Sequence, residues 1–380
     1  AAREVFPGVL IQFEDFASHS AFRLLAKYRD RICTFNDDIQ GTASVALAGI
    51  YSALRLTKGK LTDQTLLFLG AGEAATGIAD LFASAAAAEG LTIEEARRRC
   101  WFVDSRGLVE SSRSDLVEHK KPYAHEHAPV KDLLSAVKAL KPTILIGVSG
   151  QPKTFTREIV AQMSRINKRP VVFALSNPTS KAECSAEEAY TWSDGRAIFA
   201  SGSPFPTCTY KGKTFVPGQS NNAYVFPGVG LGIAACRVRR VTDEMFFESA
   251  KVLAGMTSAQ DLAKGRLFPA LTKIREIKDA VATLDEAISD LKATGASIED
   301  TRSRRVARPG ETWDEYYARI RPEESPSRTA RPVSYDEANL MRGERGEIPE
   351  AFAACMTLPP DRTGAPSTLE WVLDLSKRDH

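Results

Sequence analysis

The chain has 380 residues, 43% of them hydrophobic, so it can bury a sizeable core and should fold as one large or two medium domains. Its 50 basic and 48 acidic residues nearly cancel, which argues against nucleic acid or an anionic membrane surface as a partner. No uncharged apolar stretch reaches about 18 residues, which argues against a membrane span. Small molecules or other subunits are the partners that we expect. The six scattered cysteines contain no CxxC pair, which argues against structural zinc or a disulfide framework and favours a reducing, cytoplasmic location, with a mitochondrion or plastid as the alternatives.

The beginning of the chain, AAREVFPGVLIQF, has no methionine and lacks the charged-then-apolar layout of a signal peptide, so we suspect that it lies inside a longer protein. Residues 9–13 are an apolar run that predicts a buried strand, and this strand ends in Glu14 and Asp15. A second short strand, RICTF, is followed by Asp37 and Asp38 and then by a long apolar helix. Two successive predicted strands therefore end in carboxylates.

The middle of the chain alternates short apolar strands with helical sequence. The strand QTLLFLG runs into the small-residue helix GAGEAATGIADLFASAAAA, and three more strands follow in CWFVDSRG, KPTILIGVSG and RPVVFALSNP. Alternation of this kind is typical of parallel βαβ units, so we predict an α/β fold with a doubly wound parallel sheet of the Rossmann type. Ligands of such sheets bind at the carboxyl ends of the strands, where every polar cluster named here lies.

The segment 278–380 differs in character from the rest. Its apolar residues continue at helical spacing to about Gly295, and from about Thr301 the chain is rich in Arg, Glu and Pro. Such a composition favours disorder or a loosely docked appendage. We therefore expect an atypical tail, a helix followed by a segment of low hydrophobicity.

Gly70, Gly72 and Ala75 form a GxGxxA turn between a predicted strand and a predicted helix. Such a turn lets the backbone approach a pyrophosphate on the helix N-terminus, and its alternative is a packing turn in an unrelated α/β fold. Asp104 ends the next predicted strand, where an acid can accept hydrogen bonds from an adenosine ribose. Together these residues predict dinucleotide binding.

Basic and polar residues follow Asp104, and they bear on which dinucleotide is bound. Ser105 and Arg106 come next in the chain, with Lys120 and Lys121 further on. They can pair with a 2′-phosphate and so favour NADP over NAD, but a solvated basic loop explains them equally well.

The acidic residues Glu14, Asp15 and Asp38 form a second candidate site. Hard divalent cations such as Mg²⁺ and Mn²⁺ take oxygen ligands, and three carboxylates near neighbouring strand ends can supply them; the alternative is a set of solvated turn acids. Asn177 and Asn222 offer neutral donors near the same edge of the sheet. Either asparagine can also be an ordinary turn residue.

Seven longer strings of the sequence resemble the malic enzyme family. They are FEDF from Phe13, CTFNDDIQGTASVALAG from Cys33, FLGAGEAATGIA from Phe68, WFVDSRGL from Trp101, FALSNPTSKAECSAEEA from Phe173, AIFASGSPF from Ala197 and PGQSNNAYVFPG from Pro217. The matches are long, occur in order and cover roughly residues 5–277. They make the family resemblance far more specific than any one motif.

The resemblance implies a role for each cluster. The ligands of a Mg²⁺ or Mn²⁺ ion would be Glu14, Asp15 and Asp38. Asp37 would take part in acid–base chemistry, and Asn177 and Asn222 would contact malate. The cofactor residues would be Gly70, Gly72, Ala75 and Asp104, with Ser105, Lys120 and Lys121 resembling those of NADP-preferring members.

The resemblance also implies a reaction and an architecture. Malate would be oxidised at C2 by hydride transfer to NADP or NAD, then decarboxylated, and the enolate protonated to pyruvate. Residues 36–222 would form the Rossmann-type NAD(P)-binding domain, and residues 1–35 with 223–277 would form part of a second α/β domain. A homo-oligomer, dimer or tetramer, is implied as well.

Two departures from the family pattern stand beside these expectations. No part of the chain matches the N-terminal family domain that supplies a tyrosine, a lysine and a substrate-binding arginine, and the tail is atypical. We therefore expect the isolated chain to bind dinucleotide and metal but to turn malate over poorly. The alternatives are a catalytically inactive dinucleotide-binding remnant or regulatory module, a metal-dependent hydroxy-acid dehydrogenase without decarboxylation, and a structural protein that merely uses the fold.

Overall fold

The computed structural model describes residues 9–281 of the chain, except residues 17, 236, 237 and 279. The tail predicted for residues 278–380 therefore lies almost entirely outside the described residues. From Leu10 onward, the described residues belong to one compact unit.

The central strands of the structure form where the sequence has apolar runs. The strands are β1 (Ile11–Phe13), β2 (Thr34–Asn36), β3 (Leu66–Leu69), β4 (Cys100–Asp104), β5 (Gly107–Leu108), β6 (Ile144–Gly147), β7 (Val171–Ala174), β8 (Ile198–Ser201), β9 (Cys208–Tyr210), β10 (Lys213–Phe215) and β11 (Gly218–Gln219). All six predicted strands are present. The strand β8, the β9–β10 hairpin and the short strands β5 and β11 are additional to the prediction.

Helices connect most of these strands. They are α1 (Ser18–Tyr28), α2 (Thr42–Thr57), α3 (Glu73–Ala88), α4 (Ile93–Arg98), α5 (Leu133–Leu140), α6 (Arg157–Ile166), α7 (Ala186–Trp192), α8 (Phe226–Ala235), α9 (Asp243–Gly255) and α10 (Ala259–Ala263). Serine or threonine side chains cap several N-termini; Thr92 with Glu95 and Ser185 with Glu188 form capping boxes. Within the described part of the chain, no helix has both the length and the apolar character needed to cross a bilayer.

Seven strands form one sheet in the order β11-β8-β7-β6-β3-β4-β5. All neighbouring pairs are parallel except β4 and β5. The chain moves from β3 to β4 on one side and then crosses to β6 on the other, so the strand order reverses between β3 and β6. Such a reversal opens a ligand crevice at the carboxyl ends of the strands. The predicted doubly wound α/β fold of the Rossmann type is confirmed.

Successive residues of β3 enter two different cores. Leu66 and Phe68 pack in a core with residues of α2, α3 and α9, whereas Leu67 packs on the opposite face with residues of α5, α6 and α7. Helices therefore cover both faces of the sheet, which is why its central strands are continuous apolar runs and not alternating ones.

The strands β1 and β2 form a separate two-stranded parallel sheet. Its register pairs Phe13 with Asn36. Because the two strands are parallel and end in register, Glu14 and Asp37 leave the sheet at the same edge. The carboxylates that follow the two strands are thereby brought together.

Candidate functional site

Glu14, Asp15 and Asp38 meet at the carboxyl ends of β1 and β2. One carboxylate oxygen from each of the three lies within 4.8 Å of the others. Asp15 has a φ of 54°, and its backbone amide donates a hydrogen bond to Asp38 Oδ2 at 2.8 Å. Gln12 Nε2 donates to Glu14 Oε2 at 3.2 Å. The backbone thus holds the two segments of the cluster in contact.

The electrostatics of this cluster favour a cation. Burial raises the pKa of both Glu14 and Asp38, and the negative charge of Asp15 adds to the increase in each case. A divalent cation would offset the mutual repulsion of the three carboxylates, and oxygen ligands are those that Mg²⁺ and Mn²⁺ prefer. The donor set therefore fits the ion expected from the sequence.

Asp37 lies beside the cluster but is only 1% exposed. Its Oδ2 accepts a hydrogen bond from Asn222 Nδ2, and its Oδ1 is buried without a hydrogen-bond donor among the described residues. Burial, followed by the charges of Glu14 and Asp38, raises the pKa of Asp37 to about 8. A cation held by the neighbouring carboxylates would offset the contribution of their charges.

A five-residue π-helix, Asp37–Gly41, sets the position of Asp37. The side chain of Asn36 caps it by accepting a hydrogen bond from Ile39 N at 2.9 Å. A Cβ at Gly41 would overlap the carboxylate of Asp37, so only glycine leaves room for that side chain. The sequence analysis missed Gly41. Its four-residue spacing from Asp37, which places both residues on one helical face, was the available signal.

The two candidate asparagines lie in different settings. Asn222 begins a short 3₁₀-helix after β11, is half-buried and contacts Asp37. Asn177 is exposed just beyond β7, at the carboxyl edge of the main sheet. The structure thus joins Asn222 directly to the acidic residues.

The GxGxxA turn connects β3 to α3. Gly70 has a φ of 108°, and a Cβ there would lie 2.8 Å from the carbonyl oxygen of Val148, so both backbone conformation and close packing require glycine. Gly72 is the N-cap of α3, and a Cβ there would meet nothing within 4 Å. Ala75 is buried in the core. The open space above Gly72, at the N-terminus of α3, suits the pyrophosphate of a dinucleotide.

The helix α3 also links the two candidate sites. A Cβ at Gly77 would lie 2.7 Å from the carbonyl oxygen of Ile39, which belongs to the π-helix Asp37–Gly41. The dinucleotide helix and the segment that carries Asp37 and Asp38 are therefore in backbone contact. This contact brings the helix that follows the GxGxxA turn and the acidic cluster into one part of the fold.

Asp104, at the end of β4, is held by two cationic side chains. Arg113 forms a bidentate pair with it, at 2.9 Å from Nη1 to Oδ1 and 3.1 Å from Nη2 to Oδ2, and Lys120 Nζ lies 2.7 Å from Oδ2. Burial raises the pKa of Asp104, but these bonds and the backbone amide of Arg106 outweigh it, so the pKa is lower than usual. The sequence analysis did not identify Arg113, and no local pattern marks it as the partner.

The residues expected near a 2′-phosphate divide into two groups. Lys120 is engaged with Asp104. Lys121 is 56% exposed and pairs with Glu118 at 2.5 Å, and Ser105 is exposed beside Asp104. Lys121 and Ser105 are therefore accessible from solvent, whereas Lys120 is mostly buried and neutralises Asp104.

Comparison with known proteins gives matches to one family. Residues 39–287 match the family described as malic enzyme, NAD binding domain. The chain is 57% identical over 276 residues to NADP-dependent malic enzyme 1 of Arabidopsis thaliana, an alignment that covers 72% of this chain and 48% of that protein. It is 55% identical over 288 residues to NADP-dependent malic enzyme of Rattus norvegicus, covering 75% and 50% respectively. The chain thus spans about half the length of these relatives.

Solved structures match the same fold at lower sequence identity. The crystal structure of Entamoeba histolytica malic enzyme gives a TM-score of 0.63 at 22% identity, covering 91% of this chain and 65% of that one. NAD-dependent malic enzyme from Thermotoga maritima gives 0.58 at 23% identity, covering 73% and 66%. These likenesses support the fold, and the sequence match establishes the relationship. The chain belongs to the malic enzyme family, and its residues 39–287 match the family's NAD-binding domain.

Proposed function

We propose that this chain serves the oxidative decarboxylation of malate to pyruvate and carbon dioxide, with NADP as the preferred oxidant and Mg²⁺ or Mn²⁺ as the metal. The observation that carries the proposal is the backbone contact between α3 and the π-helix at Gly77 and Ile39, because it sets a dinucleotide site beside an acidic cluster. The relatives named NADP-dependent malic enzyme support the choice of reaction.

Glu14, Asp15 and Asp38 would hold the metal ion. The clustering of their oxygens within 4.8 Å supports this assignment. When bound there, the ion supplies Lewis-acid stabilisation of negative charge on the substrate oxygens.

Asp37 and the two asparagines would act on malate itself. Asp37 would hold a proton on Oδ1, the oxygen without a donor among the described residues, while Asn222 keeps Oδ2 engaged. Asn177 and Asn222 would hold the malate carboxylates in line with the nicotinamide. Positioning of this kind has large kinetic effects, because small misplacements of reacting groups are costly.

The dinucleotide would lie across the crevice between β3 and β6. Gly70 and Gly72 would let the backbone approach the pyrophosphate at the N-terminus of α3. Asp104 is neutralised by Arg113 and Lys120, so it would not repel a 2′-phosphate that Ser105 and Lys121 contact. This charge balance supports NADP over NAD.

We also propose that residues 36–222 form the NAD(P)-binding domain and that residues 1–35 with 223–277 contribute to a second one. The separation of the β1–β2 sheet from the seven-stranded sheet supports a division of this kind.

Binding and turnover measurements on the purified chain test the proposal. NADP and NAD should be titrated with and without Mn²⁺, and malate-dependent absorbance should then be followed, with analysis for pyruvate and carbon dioxide. We expect tighter binding of NADP than of NAD, and Lys121→Gln should remove most of the difference. Failure to bind either dinucleotide, or turnover without carbon dioxide, would overturn the proposal. Binding with little malate turnover is the expected result, because the chain spans about half the length of its relatives.

A further inference from the structure

Glu183 is a fully buried carboxylate behind the carboxyl edge of the main sheet. It lies between β7 and α7 and is 0% exposed. A Cβ at Gly147, the last residue of β6, would overlap its side chain, so the end of that strand leaves room for it. Burying a carboxylate costs free energy unless hydrogen bonds compensate it. Its contacts therefore indicate what it holds in place.

The carboxylate of Glu183 joins the loops that follow β6 and β7. Its Oε1 accepts hydrogen bonds from Ser149 N at 3.2 Å, Ser149 Oγ at 3.4 Å and Ser176 Oγ at 2.5 Å. Its Oε2 accepts one from Ser176 N at 3.3 Å. Ser176 Oγ in turn accepts from Gly150 N at 2.9 Å. Glu183 thus ties the two loops together only by accepting hydrogen bonds, because every group that it contacts here is a donor.

These two loops lead to the two halves of the candidate site. Val148, next to Ser149, donates through its backbone amide to Leu69 O at 2.9 Å, and its carbonyl packs on Gly70 of the dinucleotide turn. Ser176 directly precedes Asn177. A displacement of Glu183 would therefore shift backbone groups both at the cofactor crevice and next to the asparagine proposed to contact malate.

The hydrogen-bond donors around residue 183 suit a carboxylate better than an amide or an apolar side chain. Ser149 and Ser176 present backbone N–H groups to it, and a glutamine amide in its place would turn an N–H₂ group toward at least one of those donors. Burial raises the pKa of Glu183, whereas the hydrogen bond from Ser176 opposes the increase. An ordinary packing position would be filled by an apolar side chain without this cost.

We propose that Glu183 is a positioning residue that acts through Ser149 and Ser176, holding the loops after β6 and β7 so that the nicotinamide half of the dinucleotide meets malate at Asn177. The proposal rests on the proposed function of this site. It assigns Glu183 no contact with substrate or cofactor.

The test compares two nucleotides on the full chain carrying Glu183→Gln. One is NADP, and the other is 2′-phospho-ADP-ribose, which lacks the nicotinamide; both are titrated with Mn²⁺ and malate present. We expect NADP binding to weaken by about tenfold or more, because the loops that would receive its nicotinamide half are no longer held in place and binding has to order them. The affinity for 2′-phospho-ADP-ribose, which would meet only the dinucleotide turn, should fall clearly less. Ser176→Ala should show the same selectivity, and it serves as the probe if Glu183→Gln does not fold.

Glu248→Gln is the matched control, because Glu248 is also buried, at 4% exposure, but lies on α9 and pairs with Lys251. It should leave the ratio of the two affinities unchanged, whatever it does to thermal stability. Equal weakening of both nucleotides by Glu183→Gln, or no weakening of NADP, would overturn the positioning role. A wild-type chain that binds neither nucleotide would instead overturn the proposed function, and this proposal with it.

Discussion

The side-chain amide of Asn222 donates a hydrogen bond to the buried carboxylate of Asp37, although 185 positions separate them in the sequence. Asp37 follows β2 of the small sheet, and Asn222 follows β11 at the edge of the main sheet. One side-chain contact therefore joins the acidic cluster to the sheet that carries the dinucleotide turn.

Asn222→Ala should lower the free energy of unfolding by about 1–3 kcal/mol, because the buried Asp37 carboxyl loses its donor. Urea unfolding measures the loss. In an Asp37→Ala background the same substitution should cost less, since the acceptor is gone, and a double-mutant cycle gives the coupling between the two side chains. Simple additivity of the two substitutions would contradict a direct interaction.

Asp38→Asn should change stability in opposite directions with and without Mn²⁺. Without the ion the variant should melt at a higher temperature than the wild type, because one of three mutually repelling carboxylates is removed. With Mn²⁺ at about 100 times its Kd, the wild type should gain about 2.7 kcal/mol that the variant largely lacks. Thermal unfolding with EDTA and with Mn²⁺ measures both effects.

The control for this crossover is Asp63→Asn, an exposed acid outside the cluster. Its response to Mn²⁺ should equal that of the wild type. An equal response from Asp38→Asn would show that the cluster does not bind the ion.

Gly70→Ala and Gly72→Ala should separate folding from dinucleotide binding. Gly70 has a φ of 108° and packs on Val148, so alanine there should destabilise the fold by about 1–3 kcal/mol. Alanine at Gly72 meets nothing within 4 Å, so the fold should tolerate it while NADP affinity falls, because the methyl group would occupy the space proposed for the pyrophosphate. Unfolding and NADP titration of both variants measure this.

Gly90→Ala is the matched control for backbone strain, because Gly90 has a φ of 112° with open space around it and lies outside the dinucleotide turn. It should lose stability without losing NADP affinity. Unchanged NADP binding by Gly72→Ala would argue that no pyrophosphate lies above α3.

Asp104→Asn should change how the free energy of unfolding depends on pH in the acidic range. Because the folded pKa of Asp104 lies below the ordinary 3.8, its contribution is present above that value and is lost as pH falls through the folded pKa. The difference in unfolding free energy between wild type and variant should therefore be largest near pH 6 and shrink on acidification. Denaturant unfolding at several pH values measures it, and a constant difference would contradict the ion pairs with Arg113 and Lys120.

Sequence patterns were sufficient where the structure depends on consecutive residues. The apolar runs mark the central strands, and the GxGxxA spacing marks the turn from β3 to α3, because strand burial and a tight turn are local requirements. The strand Ile198–Ser201 shows the limit of this reasoning: its apolar run is as long as that of β3, yet it was not predicted, and its pairing with β7 in the sheet establishes it as a strand.

The partners of the site residues were decided by the tertiary structure alone. Arg113 neutralises Asp104, Asn222 engages Asp37, and Gly77 of α3 packs on the π-helix. Each contact joins segments that strand order and helix packing bring together, and no local spacing encodes such an arrangement. By itself the sequence determined the α/β class, the tight turn between β3 and α3, and the carboxylates at the strand ends. The tertiary structure decided which side chains neutralise, bury or position them, because these properties depend on distance in space and on exclusion of water.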